Sequence, residues 1–173
     1  MELAIREAQL SDLDQYTDLL QRTYQATYVD SSLGLTEECF SKEVFTSANT
    51  QEYLKSKLTI SKVQKTWLAL RDKNLVGAIT ISDKGSVCEL SSFYVDPHFQ
   101  HQGIGKELFN LALNYSAKKD IVLDTYSHNV RTIEIYKHWG FVVDETKKAF
   151  YRHWPEWPAG LQAKCIYMVF RRS

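Results

Sequence analysis

The chain is poor in the features that mark several protein classes. Its three cysteines, Cys39, Cys88 and Cys165, are far apart, odd in number and without C-x-x-C spacing. That argues against a disulfide framework and for free thiols in a reducing cytoplasm. Net charge is missing too: Lys plus Arg and Asp plus Glu number 21 each. Nothing in that balance asks for a nucleic acid or an anionic membrane as partner. No apolar run is long enough to cross a bilayer. Glu2, Arg6 and Glu7 interrupt any signal-peptide-like opening, so a cytoplasmic location is expected. No internal repeat, low-complexity tract or linker breaks the chain, and residues 1–173 are expected to form one domain.

What is present is an ordinary globular composition, 44% hydrophobic and 24% charged, over 173 residues. That length buries a substantial core without staples. Leu3 to Ala8 is a strand candidate. Ser11, with Asp14, looks like the cap of a helix whose face is Leu13, Tyr16, Leu19, Leu20, Tyr24 and Thr27. Thr36 is placed to cap a short helix through Phe45, and Asn49 with Glu52 to open another to about Ile60. From Lys65 the period changes to two. TWLALR and LVGAITIS flank a DKN turn, and Val87 to Val95 follows after Asp83-Lys84-Gly85, giving an antiparallel meander. Its alternation puts Val87, Glu89, Ser91, Phe93 and Val95 on one side. IVLDTY is a short strand, and Asn129 opens a helix through His138, with Gly140 as its stop. Strand segments follow at Phe141 to Val143, Ala149 to Tyr151 and Ala163 to Phe170.

The most informative junction is Val87 to Lys118, a strand, a glycine turn and a helix. Gly103 and Gly105 open that helix. Glycines there let backbone amides approach a ligand, the first helical N–H groups lack internal partners, and the helix dipole is positive. Such a turn suits a phosphate or pyrophosphate. A Walker A loop does not fit, because Gly105-Lys106 is followed by Glu107 and no glycine lies five positions earlier. A dinucleotide fingerprint fails at Leu108, which stands in the third glycine's place. The remaining pattern is Gln100-x-x-Gly103-x-Gly105, after a strand ending Val95-Asp96-Pro97.

That pattern resembles the acetyl-CoA pyrophosphate loop of the GNAT N-acetyltransferase superfamily, written Q/R-x-x-G-x-G/A. Asn129-x-x-Thr-Ile-x-Ile-Tyr136-Lys137-x-Trp-Gly140-Phe141 resembles the family's N-x-x-A-x-x-F-Y-x-K-x-G-F segment, with Thr132 for Ala, Ile135 for Phe, and Lys137 one place early. The resemblance implies an α/β (α+β) GNAT fold. Its single mixed, mostly antiparallel sheet is splayed between two central parallel strands, Val87–Val95 and Ile121–Thr125, with helices on both faces. It implies acetyl-CoA as co-substrate and no metal. The implied cofactor-binding set is Phe93, Tyr94, Val95, Gln100, His101, Gln102, Gly103, Ile104, Gly105, Lys106, Asn129, Arg131 and Ile133. The pantetheine arm would pair with backbone near Phe93 and Val95 as an added strand, the pyrophosphate would sit on the amides of Gln102 to Lys106, and Arg131 would reach the 3′-phosphate.

Amine acetylation needs a base, since a primary amine of pKa ~10.4 arrives protonated, and a donor for the leaving thiolate. Tyr136 matches the family's general-acid tyrosine, and Glu89 is the base candidate. Each has a plainer reading: Tyr136 as helix core, Glu89 as a solvated strand residue. His98 and His101 lack ligand companions at metal spacing. Trp154, Pro155, Trp157 and Pro158 suit a substrate pocket wall, a loop plug or a homodimer contact. The stretch with Tyr24, Tyr28 and a glutamate-bearing helix is loosely similar to PaiA-type polyamine acetyltransferases. Asp30, Glu37, Glu38, Glu89 and Glu156 are the carboxylates available to a polyamine. The expected activity is acetyl transfer to the primary amine of a small molecule. A protein lysine or N-terminal acetyltransferase, and a non-catalytic CoA-binding regulator, are the alternatives.

Overall fold

In the computed structural model, residues 2–172 are described. The strands are β1 (Leu3–Glu7), β2 (Gln64–Arg71), β3 (Asn74–Asp83), β4 (Cys88–Val95), β5 (Ile121–Tyr126), β6 (Val142–Val143), β7 (Phe150–Arg152) and β8 (Ala163–Phe170). The helices are α1 (Leu13–Tyr28), α2 (Lys42–Thr46), α3 (Ala48–Leu58), α4 (Ile104–Ser116) and α5 (Val130–His138). Among the described residues one mixed sheet runs β1-β2-β3-β4-β5-β8-β6, with β7 also pairing β8. The β2–β3 hairpin turns on Asp72 and Lys73, both at positive φ, the turn shape that matches strand twist. No helix among the described residues is long and apolar enough to cross a membrane.

Each face of the sheet carries its own core. Tyr16, Leu19 and Leu20 of α1 and Leu54 and Leu58 of α3 pack on Leu68, Ala78 and Tyr94. On the other face Ile104, Leu108 and Ala112 of α4 and Ile133 of α5 pack on Ile79, Ile81 and Leu90. Gly77 in β3 is what lets α4 lie so close. A Cβ there would stand 3.1 Å from Leu108 Cδ1 and 3.3 Å from the Tyr94 carbonyl.

The central pair is parallel and short. β4 meets β5 only at Cys88↔Ile121 and Glu89↔Val122, after which the strands part. On its other side β4 carries a bulge. Ile81 faces Leu90 and Thr80 faces Ser92, leaving Ser91 as an extra residue. The bulge overturns the simple alternation expected for this strand. Upstream of it Cys88 and Leu90 join the α4 core; downstream Phe93 and Val95 do, while Tyr94 joins the α1 core. One inserted residue has shifted the parity, so Glu89 and Phe93 do not share a face.

Several boundaries differ from expectation. The chain turns into α1 through a 3-10 turn at Leu10–Asp12, and Asp12, not Asp14, accepts the Gln9 N–H at 2.8 Å. The span from Thr36 to Phe45 is two pieces, a 3-10 turn Glu37–Phe40 and α2. Ser41, not Thr36, accepts the amide of Val44. α3 starts at Ala48 with Ser47 as its cap, two positions earlier than Asn49. At α2 and α3 a serine hydroxyl takes the cap, and ahead of α1 it is the Asp12 carboxylate that accepts the free amide.

Candidate active site

The turn between β4 and α4 is held open by protein contacts around it. Gln100 Nε2 donates to the Val95 carbonyl at 3.2 Å, and Arg71 Nη1 donates to Gln102 Oε1 at 2.8 Å. Asp96, buried, accepts from His98 N and from Arg22 at 2.8 Å, which fastens the turn to α1. Gly103 is the N-cap of α4 at φ +83, and among the described residues no side chain caps the helix. Nothing lies within 4 Å of where its Cβ would be. Gly105 is tighter, since a Cβ would meet Trp139 at 3.3 Å. The first amides of α4 therefore face an open concavity with a positive dipole behind them.

The free edge of β4 leads into that concavity. Asp96 N donates to Val76 O at 2.9 Å, so 96/76 is a hydrogen-bonded antiparallel pair. By the two-residue alternation 94/78 is another, and the pairs Val95↔Gly77 and Phe93↔Ile79 turn their amides and carbonyls away from β3. Beyond Glu89 no strand among the described residues covers that side. Phe93 thus presents its backbone donor and acceptor to the cleft and Val95 its amide, the Val95 carbonyl already accepting from Gln100.

Two cavities meet there. One, of about 580 Å³, is lined by Val95, Gln100, His101, Gly103, Ile104, Gly105, Lys106, Arg131 and Trp139. The other, of about 520 Å³, lies on the α1–α3 side and is lined by Glu89, Lys57, Tyr53, Asp124, Arg152 and Glu156, among others. Tyr28, Phe93, Tyr94 and Tyr136 line both. Tyr136 is at the junction and nearly buried. Burial raises its phenol above the usual range, and the charge of Asp124 adds to that. Its hydroxyl therefore keeps its proton across the neutral range.

The expected site residues fall into three groups. Phe93, Tyr94, Val95, Gln100, His101, Gly103, Ile104, Gly105, Lys106 and Arg131 are brought together around one cavity. Glu89 and Tyr136 share the other. Gln102, Asn129 and Ile133 line neither: Gln102 is turned to Arg71, and Ile133 is core. Asn129 spends its side chain on its own helix, accepting from Thr132 N at 3.3 Å and donating to Thr132 Oγ1 at 2.6 Å. Arg131 donates to His101 Nε2 at 3.1 Å. Of the carboxylates available to a polyamine, Glu89 and Glu156 line the second cavity and Asp30, Glu37 and Glu38 do not.

Three charged residues of the second cavity were not anticipated. Asp124 interrupts the otherwise apolar β5, a signal visible in IVLDTY, and Arg152 Nη2 donates to it at 2.7 Å. Lys57 donates to Ser91 Oγ on the bulge at 3.1 Å and lies over the Tyr53 ring. Burial holds its ammonium below the usual lysine range, with Glu89 pulling the other way. The Trp154–Pro158 loop is neither loose nor outward. Trp154 and Trp157 stack at 5.7 Å, and their indoles donate to Tyr126 Oη and Cys39 O.

Over residues 14–141 the chain matches the Acetyltransferase (GNAT) family. A 73-residue stretch is 36% identical to an uncharacterized N-acetyltransferase of Methanocaldococcus jannaschii, covering 40% of this chain and 32% of that one. Another, of 56 residues, is 30% identical to a probable spermine N(1)-acetyltransferase of Bacillus subtilis subsp. natto, covering 30% of this chain and 37% of that one. The chain thus spans about a third of the length of these curated relatives. Among solved structures, the PaiA N-acetyltransferase of Thermoplasma acidophilum in complex with coenzyme A is similar in fold. Its TM-score is 0.76 at 21% identity, with 99% of each chain covered.

Proposed function

The chain belongs to the GNAT acetyltransferase family, and on that basis we propose that it moves an acetyl group from acetyl-CoA to the primary amine of a small molecule, with a polyamine as the acceptor. The observation that carries the reading is the meeting of two cavities at Tyr136, one of which ends on the uncapped first turn of α4. The residues present fit the co-substrate. The space where a Gly103 Cβ would stand is clear, the helix start favours an anion, and Lys106 and Arg131 add positive charge beside it. The backbone groups of Phe93 and the amide of Val95 suit an amide-bearing arm laid along β4. When bound, acetyl-CoA supplies an activated acyl carbon and a thiol leaving group.

The chain's own residues then have distinct tasks. Glu89, on the acceptor side of β4, takes the proton of the incoming ammonium, directly or through water. Lys57 is near enough to influence Glu89, and its charge disfavours a second cation beside it, which helps the amine shed that proton. Tyr136 holds its proton and offers it, or a hydrogen bond, to the departing sulfur. The Val95 amide polarises the acyl oxygen. Because Tyr28 and Tyr136 line both cavities, amine and thioester are brought to the same residues and react without a covalent enzyme intermediate, in a ternary complex.

The acceptor class rests on the cavity wall. Tyr24, Tyr28, Tyr53 and Trp154 offer aromatic faces and Glu89, Asp124 and Glu156 offer carboxylates, a combination suited to an elongated cation. One curated relative carries a spermine acetyltransferase name. The test is thiol release from acetyl-CoA across polyamines, other small amines and peptides. Release with polyamines, lost in Tyr136→Phe, supports the reading. Turnover confined to peptides discards the acceptor, and acetyl-CoA binding without any turnover discards the enzyme.

A further inference from the structure

Glu156 has an unused hydrogen-bond acceptor among the described residues. Ser47 Oγ donates to its Oε1 at 2.6 Å. Its other oxygen, Oε2, is shut off from solvent and has no hydrogen-bond partner among the described residues. A carboxylate oxygen taken from water without a donor is costly, and such groups in a folded protein call for an explanation. Glu156 lines the acceptor-side cavity. The two positive groups of that cavity are committed elsewhere: Arg152 to Asp124 at 2.7 Å, and Lys57 to Ser91 at 3.1 Å.

The support under Glu156 is rigid. It lies between Trp154 and Trp157, which stack on each other and are each pinned by an indole hydrogen bond. Its partner Ser47 is itself the cap of α3, accepting from Thr50 N. A carboxylate held through one oxygen on such a loop, with the other oxygen left without a donor, is built to receive a ligand. Trp154 and Phe45, which also line the cavity, offer π-faces to the same ligand.

We propose that Glu156 is the anchor for the second ammonium of a diamine or polyamine acceptor, and so the residue that separates such acceptors from monoamines. The proposal rests on the amine-acetyltransferase reading of the site and adds to it which carboxylate reads the distal charge. A small turn of the carboxylate about its soft terminal torsion would bring Oε2 to the cavity, where an N⁺–H from the acceptor fills it while the ring faces flank the cation. Asp124 is a poorer candidate because Arg152 already neutralises it, and Glu89 is the group that meets the reacting nitrogen.

The experiment compares α,ω-diamines of three to eight carbons and spermidine with monoamines of matched length, in wild type, Glu156→Gln and Glu156→Asp. The readouts are kcat/KM and, separately, calorimetric binding of each amine without acetyl-CoA. Thermal melts confirm that each variant is folded. The expected result is a wild-type preference for at least one diamine of about tenfold or more, the scale of one charge-assisted hydrogen bond. That ratio falls toward one in Glu156→Gln and partly recovers in Glu156→Asp. A ratio unchanged by Glu156→Gln, or no preference in wild type, overturns the anchor; a buried water would then be the partner of Oε2. If no amine is turned over but diamine binding still depends on Glu156, the transferase reading falls and the anchor stands. If diamines bind both forms alike, the anchor falls whatever the turnover.

Discussion

The hydroxyls of Tyr24 and Tyr94 meet at 2.9 Å in the interior, joining α1 to β4 where Tyr94 lines both cavities. Both phenols are held above their usual range by burial and by neighbouring tyrosines, so both are neutral, and among the described residues each has only the other as hydrogen-bond partner. Tyr24→Phe leaves the Tyr94 hydroxyl buried and unpaired, and should cost about 1–3 kcal/mol of stability. Tyr24→Phe with Tyr94→Phe should cost less than the two single changes together, because the orphan disappears with its partner. Urea unfolding of the four proteins checks this. Strictly additive losses would show that the pair is not an energetic unit.

Gly103 has the backbone angle that side chains avoid, φ +83, and clear space where its Cβ would project. Gly103→Val therefore has two separate effects. The left-handed conformation costs about 1–2 kcal/mol for a residue with a Cβ. The new side chain also occupies the clear space beside the first turn of α4. The KM for acetyl-CoA should rise about tenfold or more, consistent with the loss of one charge-assisted anion contact, while circular dichroism remains that of a folded protein. An unchanged KM would show that the phosphates bind elsewhere.

Tyr136 gives a prediction with a pH signature. Burial and then the charge of Asp124 raise its pKa. The neutral phenol, the form with a proton to give, therefore persists to higher pH than a free tyrosine near ~10 would allow. Activity should rise with pH as the amine deprotonates, and should not decline around pH 10 on account of Tyr136. Tyr136→Phe should lower kcat by about a hundredfold, the lower end of what a positioned proton donor supplies. A descending limb near pH 10 in wild type that is absent in Tyr136→Phe would mean that Tyr136 titrates normally.

Much of this was readable from residue order, and the reason differs by element. α4 announces itself through Ile104, Leu108 and Ala112 at helical spacing behind two glycines, and the β2–β3 hairpin through its change of period. The bulge at Ser91 had no such signal, because one extra residue in a strand alters neither composition nor hydrophobicity, only parity. It nonetheless decides that Glu89 faces the acceptor cavity while Phe93 faces the other core. Caps were misplaced by a few positions because Ser41, Ser47 and Asp12 compete with equally good neighbours in sequence. Only tertiary position decides among them. Lys57, Asp124, Arg152 and Glu156 come from α3, β5, β7 and the following loop, and no spacing rule links segments that the topology alone brings to one cavity.

Asp12 links the first strand to the first helix and supplies a prediction about acid stability. Arg6 donates to both of its oxygens, at 2.8 and 2.6 Å, and Gln9 N donates to Oδ2. The Arg6 hydrogen bonds lower the Asp12 pKa, burial opposes them, and the Gln9 amide lowers it further. Since the folded value is depressed, the carboxylate's contribution to stability is fully present above the unfolded value of ~3.9 and is lost as pH falls through the folded value. Arg6 is partly exposed, which weakens the pair through solvent screening. Asp12→Asn should therefore cost only about 1–2 kcal/mol near neutral pH. The gap between wild type and variant should be constant from neutral pH to about pH 5 and narrow below about pH 4, because only the wild type then has a stabilising charge left to lose. Urea midpoints measured for both proteins from pH 7 down to about pH 3 decide it. A gap that stays constant over the whole range would mean that Asp12 acts through its neutral hydrogen bonds alone, and that the ion pair with Arg6 adds nothing to holding β1 against α1.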